Sequence, residues 1–94
     1  MGADLKLIGK SPNIDHQMEF QLISIMEEAY RNKRDCDYIT TSCKNFFGGQ
    51  WIITHHLGQT ENDFEMSFGF TSLKWIKFKR GLSDTYFLFQ ISEQ

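Results

Sequence analysis

The sequence predicts an α+β fold in a single domain: two helices packed on an antiparallel sheet. Three observations carry that expectation. Apolar residues between 16 and 31 recur at spacings of three and four, the repeat of a helix face. After Gly48-Gly49 the spacing changes to two, the repeat of a half-buried strand. Both helical stretches precede the main run of strands, so the order is β, α, α and then four strands. The 94 residues suffice for one domain, 1–94, with 1–4 expected to be a disordered or vector-derived leader.

Residues 5–10, "LKLIGK", read as a first strand, and the "SPN" that follows breaks it, because Pro12 cannot continue a ladder. Asp15 suits a helix N-cap, where its carboxylate accepts from first-turn amides. The helix over 16–31 carries Met18, Leu22, Ile25, Met26 and Ala29 on one core stripe. A weaker second helix is expected over 32–47, with Ile39, Cys43 and Phe46 or Phe47 on its inner face and Thr40 and Thr41 lowering its propensity. Gly48-Gly49 stops it, since glycine tolerates the left-handed C-cap. Strands are then expected at 50–57, 63–70, 73–80 and 85–91, the last two joined by Gly81-Leu82-Ser83-Asp84.

Composition narrows the function. The chain is 40% hydrophobic and 15% aromatic, with nine Phe. That is rich for a domain whose own core is marginal at this size, so some aromatic surface is expected to be buried against a second copy. A net charge of −2 argues against a general nucleic-acid binder. No run of about 18 apolar residues offers a membrane span, and no signal peptide is evident. Met1-Gly2 is not followed by the Ser or Thr that myristoylation wants, Lys6 standing there instead. Cys36 and Cys43 lie seven apart, ~10 Å along one helix and too far to bridge, so reduced, intracellular thiols are expected.

The adjacent His55 and His56 invite a metal or catalytic reading. Neighbours on a strand point to opposite faces, so His55 would lie with Trp51, Ile53 and Leu57, and His56 with Ile52 and Thr54. A zinc site would need Cys43 or His16 to join one of them, without any paired ligand spacing. No catalytic motif is present, and the chain reads as a non-enzyme. "GQTENDFE" lacks the spacing and glycine of a calcium loop. Each histidine reads instead as a pH-sensitive interface contact, because imidazole titrates near neutrality. "SFGFTSLKW" holds Phe68-Gly69-Phe70 followed by Lys74, Lys77, Lys79 and Arg80, an aromatic and basic mixture that single-strand nucleic-acid binders use. The preceding basic-Gly pair is missing and the helices come too early for an RNA-recognition fold. Nucleic-acid binding is therefore the alternative and not the main expectation.

The strand at 63–70 carries the main one. Phe64, Met66, Phe68 and Phe70 alternate with Glu65, Ser67 and Gly69 after the polar linker 58–62. An alternating aromatic strand needs another strand beside it, from its own chain, a second copy or an extended peptide.

Four segments in order, "LKLIGKSPNIDHQMEFQ", "CKNFFGGQW", "DFEMSFGFTSLKWIKFKRG" and "YFLFQI", together resemble the dynein light chain family, the small homodimeric hub type, over 5–91. The resemblance implies a strand-swapped homodimer with peptide grooves at the interface. Phe64, Glu65, Met66, Ser67, Phe68, Gly69 and Phe70 would then form the groove and dimer strand, with Trp75 and Lys77 behind it. The chain departs from the family at 65–71, "EMSFGFT", and at Cys36-Asp37, where the family has a Glu-Lys pair that caps a ligand glutamine. These departures also resemble the C-terminal domains of flatworm tegumental calcium-binding proteins, in which such a domain follows EF-hands. The Met-Gly start fits an excised domain of that kind. The implied partners are a second copy and short extended peptides, the dynein intermediate chain among them. No cofactor is expected in this chain, and calcium would belong to EF-hands elsewhere in the parent. The implied location is cytoplasmic, with cytoskeletal or tegumental association.

Overall fold

The structure is a computed structural model and describes residues 5–32, 36–57 and 74–93. Within them the order is β1 (Leu5–Lys10), α1 (His16–Arg31), α2 (Cys36–Phe47), β2 (Gln50–Leu57), β3 (Lys74–Arg80) and β4 (Asp84–Ser92). The strands form one antiparallel sheet in the order β1-β3-β4-β2. The α+β class predicted from the change of period is the class that forms. The segment 63–70 lies outside the described residues.

Local chemistry explains each boundary. Past β1, Ser11 prolongs contact with β3: its N–H donates to the Trp75 carbonyl at 2.8 Å, and its Oγ accepts from the Trp75 N–H at 3.0 Å. Pro12 then turns the chain. Asp15 caps α1, its Oδ1 accepting from the Met18 N–H at 2.8 Å. Lys10 Nζ on β1 binds Glu19 in the first turn of α1, joining strand and helix.

Asn32 ends α1: its N–H reaches back to the Glu28 and Tyr30 carbonyls, and its side-chain amide donates to the Glu28 carbonyl. The expected start of the second helix at 32 is therefore corrected, because Asn32 closes the first helix and α2 begins at Cys36. Thr40 fits that helix by donating its hydroxyl to the Cys36 carbonyl at 2.7 Å, four residues back. Of the two candidate inner aromatics, Phe47 packs on the core and Phe46 stands 63% exposed.

Among the described glycines, Gly49 is the most closely approached. Its φ is +84°, and a Cβ there would sit 2.1 Å from the Ser92 carbonyl oxygen and 2.8 Å from Gln90 Nε2. The end of α2 is pinned beside it: Trp51 Nε1 and Gln90 Nε2 both donate to the Gly48 carbonyl, at 2.9 and 3.1 Å. That carbonyl is among those a helix end leaves without an internal partner.

The core lies between helices and sheet. Met18, Leu22, Ile25, Met26 and Ala29 of α1 meet Ile39 and Cys43 of α2 over Trp51, Ile76, Phe78 and Leu88 of the sheet. The α1 members are the residues the helical spacing selects. At 81–83 the chain turns, and Asp84, expected in the turn, is the first residue of β4, paired with Arg80.

Candidate functional site

Strand alternation and register sort the side chains onto two faces. Toward the helices point Trp51, Ile53 and His55 of β2, Ile76, Phe78 and Arg80 of β3, and Tyr86, Leu88 and Gln90 of β4. On the opposite, helix-free face lie Ile52, Thr54 and His56 of β2, Trp75, Lys77 and Lys79 of β3, and Thr85, Phe87 and Phe89 of β4. Lys6 of β1 joins that face opposite Lys79.

The helix-free face is aromatic at its centre. Trp75 and Phe87 have ring centroids 5.7 Å apart, and Phe87 meets Phe89 edge-on at 5.4 Å. Phe89 and Thr85 are each only 2% exposed although no described helix lies on their side. Gly9 sits close to the Trp75 ring, where an added Cβ would lie 3.3 Å from the indole edge. The bulge between Leu7 and Gly9 lets β1 pass that ring. Thr54 Oγ1 is buried there without a hydrogen-bond partner.

The two histidines separate as the strand period requires. His55 faces the helix layer, stacks on Tyr86 with centroids 4.2 Å apart and planes 6° apart, and places Nε2 2.8 Å from Asp84 Oδ1. His56 lies on the other face, its register partner Thr85. One metal cannot take both from that geometry. Cys43, the thiol a zinc reading would need, is in the core, and burial pushes its pKa up to about 12. Neither cysteine is in a disulfide. Among the described residues no group of three or more His, Cys, Asp or Glu is gathered as a metal cage would require.

The basic run that suggested nucleic-acid binding is split by the pleat. Lys77 and Lys79 share the helix-free face with Trp75. Lys74 and Arg80 point the other way. Arg80 is buried, donates Nη2 to the Met26 carbonyl at 3.1 Å and lies over the Tyr30 ring at 4.3 Å. Its role is structural, and β3 is an inner strand of the sheet. Trp75 and Lys77, expected behind a groove strand, lie two residues apart on β3 and share the helix-free side of the sheet, while Ile76 between them faces the helices. Phe64, Glu65, Met66, Ser67, Phe68, Gly69 and Phe70 lie outside the described residues.

A concavity on the helix side was not legible in the sequence. A groove of roughly 640 Å³ runs between α1 and α2, walled by Phe20 and Phe46 and lined by Ser24, Ile25 and Ser42. Phe20 is 71% exposed. Its position off the α1 stripe was the available signal. At the far end of the groove Arg31 binds Glu28, and this hydrogen bond holds the Glu28 carboxyl below its ordinary pKa. No helix among the described residues is long and apolar enough to cross a membrane.

Comparison with family models, with curated proteins and with solved structures finds no match to this chain.

Proposed function

We propose that the chain is a non-enzymatic interaction module of dynein light chain type, which forms a homodimer and binds extended peptides as an added strand. The observation that supports this reading best is the helix-free face of the sheet. A two-layer domain ordinarily leaves such a face polar, and here Ile52, Trp75, Phe87 and Phe89 make it apolar and aromatic. An apolar sheet face on a chain of 94 residues is well suited to burial against a second copy. In this reading the alternating segment 63–70, with Phe64, Met66, Phe68 and Phe70, supplies the exchanged strand, and Trp75 and Lys77 back the groove. The module belongs to a larger calcium-binding, tegument-associated protein of the cytoplasm, with the calcium held elsewhere in the parent.

Sedimentation tests it. A dimer at tens of micromolar that Trp75→Ala and Phe87→Ala convert to folded monomer is the expected result. A wild-type monomer at that concentration removes the reading. Peptide arrays run beside it test the groove.

One observation favours a second reading. Lys6, Lys77 and Lys79 share the face that carries Trp75 and Phe87, a mixture suited to single-stranded nucleic acid. A gel shift with oligothymidylate that is insensitive to Phe68→Ala and to Lys77→Gln removes it.

A further inference from the structure

The groove between α1 and α2 is lined by helix residues and lies on the side of the molecule away from the helix-free sheet face. Phe20 and Phe46 reach it from different helices, and both rings are largely exposed. Each ring has a serine one helical turn away, Ser24 on α1 and Ser42 on α2, and both serines also line the groove. The Phe46 wall is braced from behind. Its ring centroid lies 6.1 Å from that of Phe47, and Phe47 lies 5.8 Å from the Trp51 indole. A wall held in this way loses little freedom when a ligand arrives.

Dimensions select the occupant. From Gln17 to Arg31 the α1 side of the groove runs about 21 Å, at a rise of about 1.5 Å per residue. A volume of roughly 640 Å³ over that length gives a mean cross-section of roughly 30 Å². An α-helix about 10 Å across presents roughly 80 Å², so a partner helix would rest on the rims and leave the channel to its side chains. A planar ring, about 3.5 Å thick, enters edgewise. The volume also falls within the range of small-molecule sites, about 300–1,000 Å³.

Charge narrows the class. Glu28 and Arg31, the ionised side chains among the described lining residues, bind each other at one end. A charged ligand has to compete with that pair. Ser24 and Ser42 offer hydroxyls that both donate and accept, which suits a neutral polar group.

We propose that this groove is a binding site for a small, uncharged, planar aromatic compound bearing a hydroxyl or carbonyl, with its ring against Phe20 and Phe46 and its polar group on Ser24 or Ser42. The site stands apart from the peptide-binding reading, because no described sheet residue lines it.

The test uses the whole chain, labelled with nitrogen-15, and four probes: 2-naphthol, 2-naphthoate, 2-naphthylmethylammonium and 1-decanol. Decanol matches 2-naphthol in heavy atoms without being planar. 2-Naphthol is expected to bind with a dissociation constant between about 0.1 and 1 mM, ordinary for a two-ring ligand. It should shift amide resonances of α1 and α2, those of Ser24 and Ser42 among them. Phe20→Ala and Phe46→Ala are each expected to weaken it about threefold to tenfold. The double variant Ser24→Ala, Ser42→Ala should weaken it about threefold or more. These side chains lie outside the core, and circular dichroism checks that each variant folds. The charged probes and decanol are expected to bind at least about threefold more weakly than 2-naphthol.

Failure of 2-naphthol to approach saturation by about 3 mM, several times the expected constant, overturns the proposal. Shifts confined to β3 and β4 overturn it as well, because they place the probe on the sheet. Binding of either charged probe as tight as that of 2-naphthol overturns the neutral class, and decanol binding as tightly overturns the aromatic one. Sedimentation in which Phe20→Ala converts a larger assembly to a smaller one assigns the groove to a second copy and overturns the proposal too.

Discussion

Cys43 shows what burial does to one group. Its thiol lies among core side chains, and burial lifts its pKa from 9.0 to about 12. In the unfolded chain the thiol ionises near its ordinary pKa, whereas in the folded chain it stays neutral up to about 12. The stability it contributes is therefore complete below pH 9 and is lost as pH rises toward 12. The urea midpoint of the wild type should fall across that window more steeply than that of Cys43→Ala, and a thiol reagent at pH 8 should modify Cys36 far faster than Cys43 until denaturant is added. Gly49 makes a second prediction. Its positive φ and the Ser92 carbonyl 2.1 Å from a would-be Cβ leave no room for a side chain. Gly49→Ala should cost about 2 kcal/mol or more in chemical denaturation. At this scale the sequence was most informative where a rule is strict. His55 and His56 had to separate, because neighbours on a strand cannot share a face. Arg80 was opaque, because a sequence places a cation in solvent by default and says nothing of the Met26 carbonyl and Tyr30 ring waiting for it.

At the scale of elements, α1 was legible from cap to last stripe residue, since Asp15, the 3–4 spacing and the break at Pro12 all agree. Asp15→Ala should lower stability by about 1 kcal/mol, measured by denaturant unfolding, because it strips the Met18 N–H of its acceptor. The start of α2 was not legible. Asn32 and the residues after it are polar and helix-compatible, so composition shows no gap, and only the hydrogen bonds from Asn32 to Glu28 reveal where α1 stops. Phe46 and Phe47 present the same difficulty. Both suit an apolar stripe of α2, and the twist of the last turn toward Trp51 decides that Phe47 goes in, with ring centroids 5.8 Å from the indole. The β1 bulge was hidden as well, because it answers the bulk of a ring on a strand more than sixty residues away.

For the whole molecule, the sequence foretold the class, two helices with an antiparallel sheet, and the change of period carried it. It did not foretell the sheet order, because pairing between distant strands leaves no local mark. Nor did it foretell that Lys6 is brought opposite Lys79 on the helix-free face. That pair makes the prediction proper to this scale. Lys79→Glu should stabilise the fold by roughly 0.2–1 kcal/mol, a gain of a few degrees in Tm for a domain this small. Lys6→Glu should do the same, and the double variant should return to the wild-type value, since it restores like charges.

The sheet order also sets a folding sequence. The β3–β4 hairpin sits at the centre of the sheet and closes across a three-residue turn, so its contacts are local and quick to form. The chain's first strand, β1, is held by β3, near the chain's far end, and that pairing must close nearly the whole polypeptide into a loop. Amides of β1 should accordingly gain protection last during refolding and exchange with deuterium first in the native state, ahead of those of β4, which has a strand on either side.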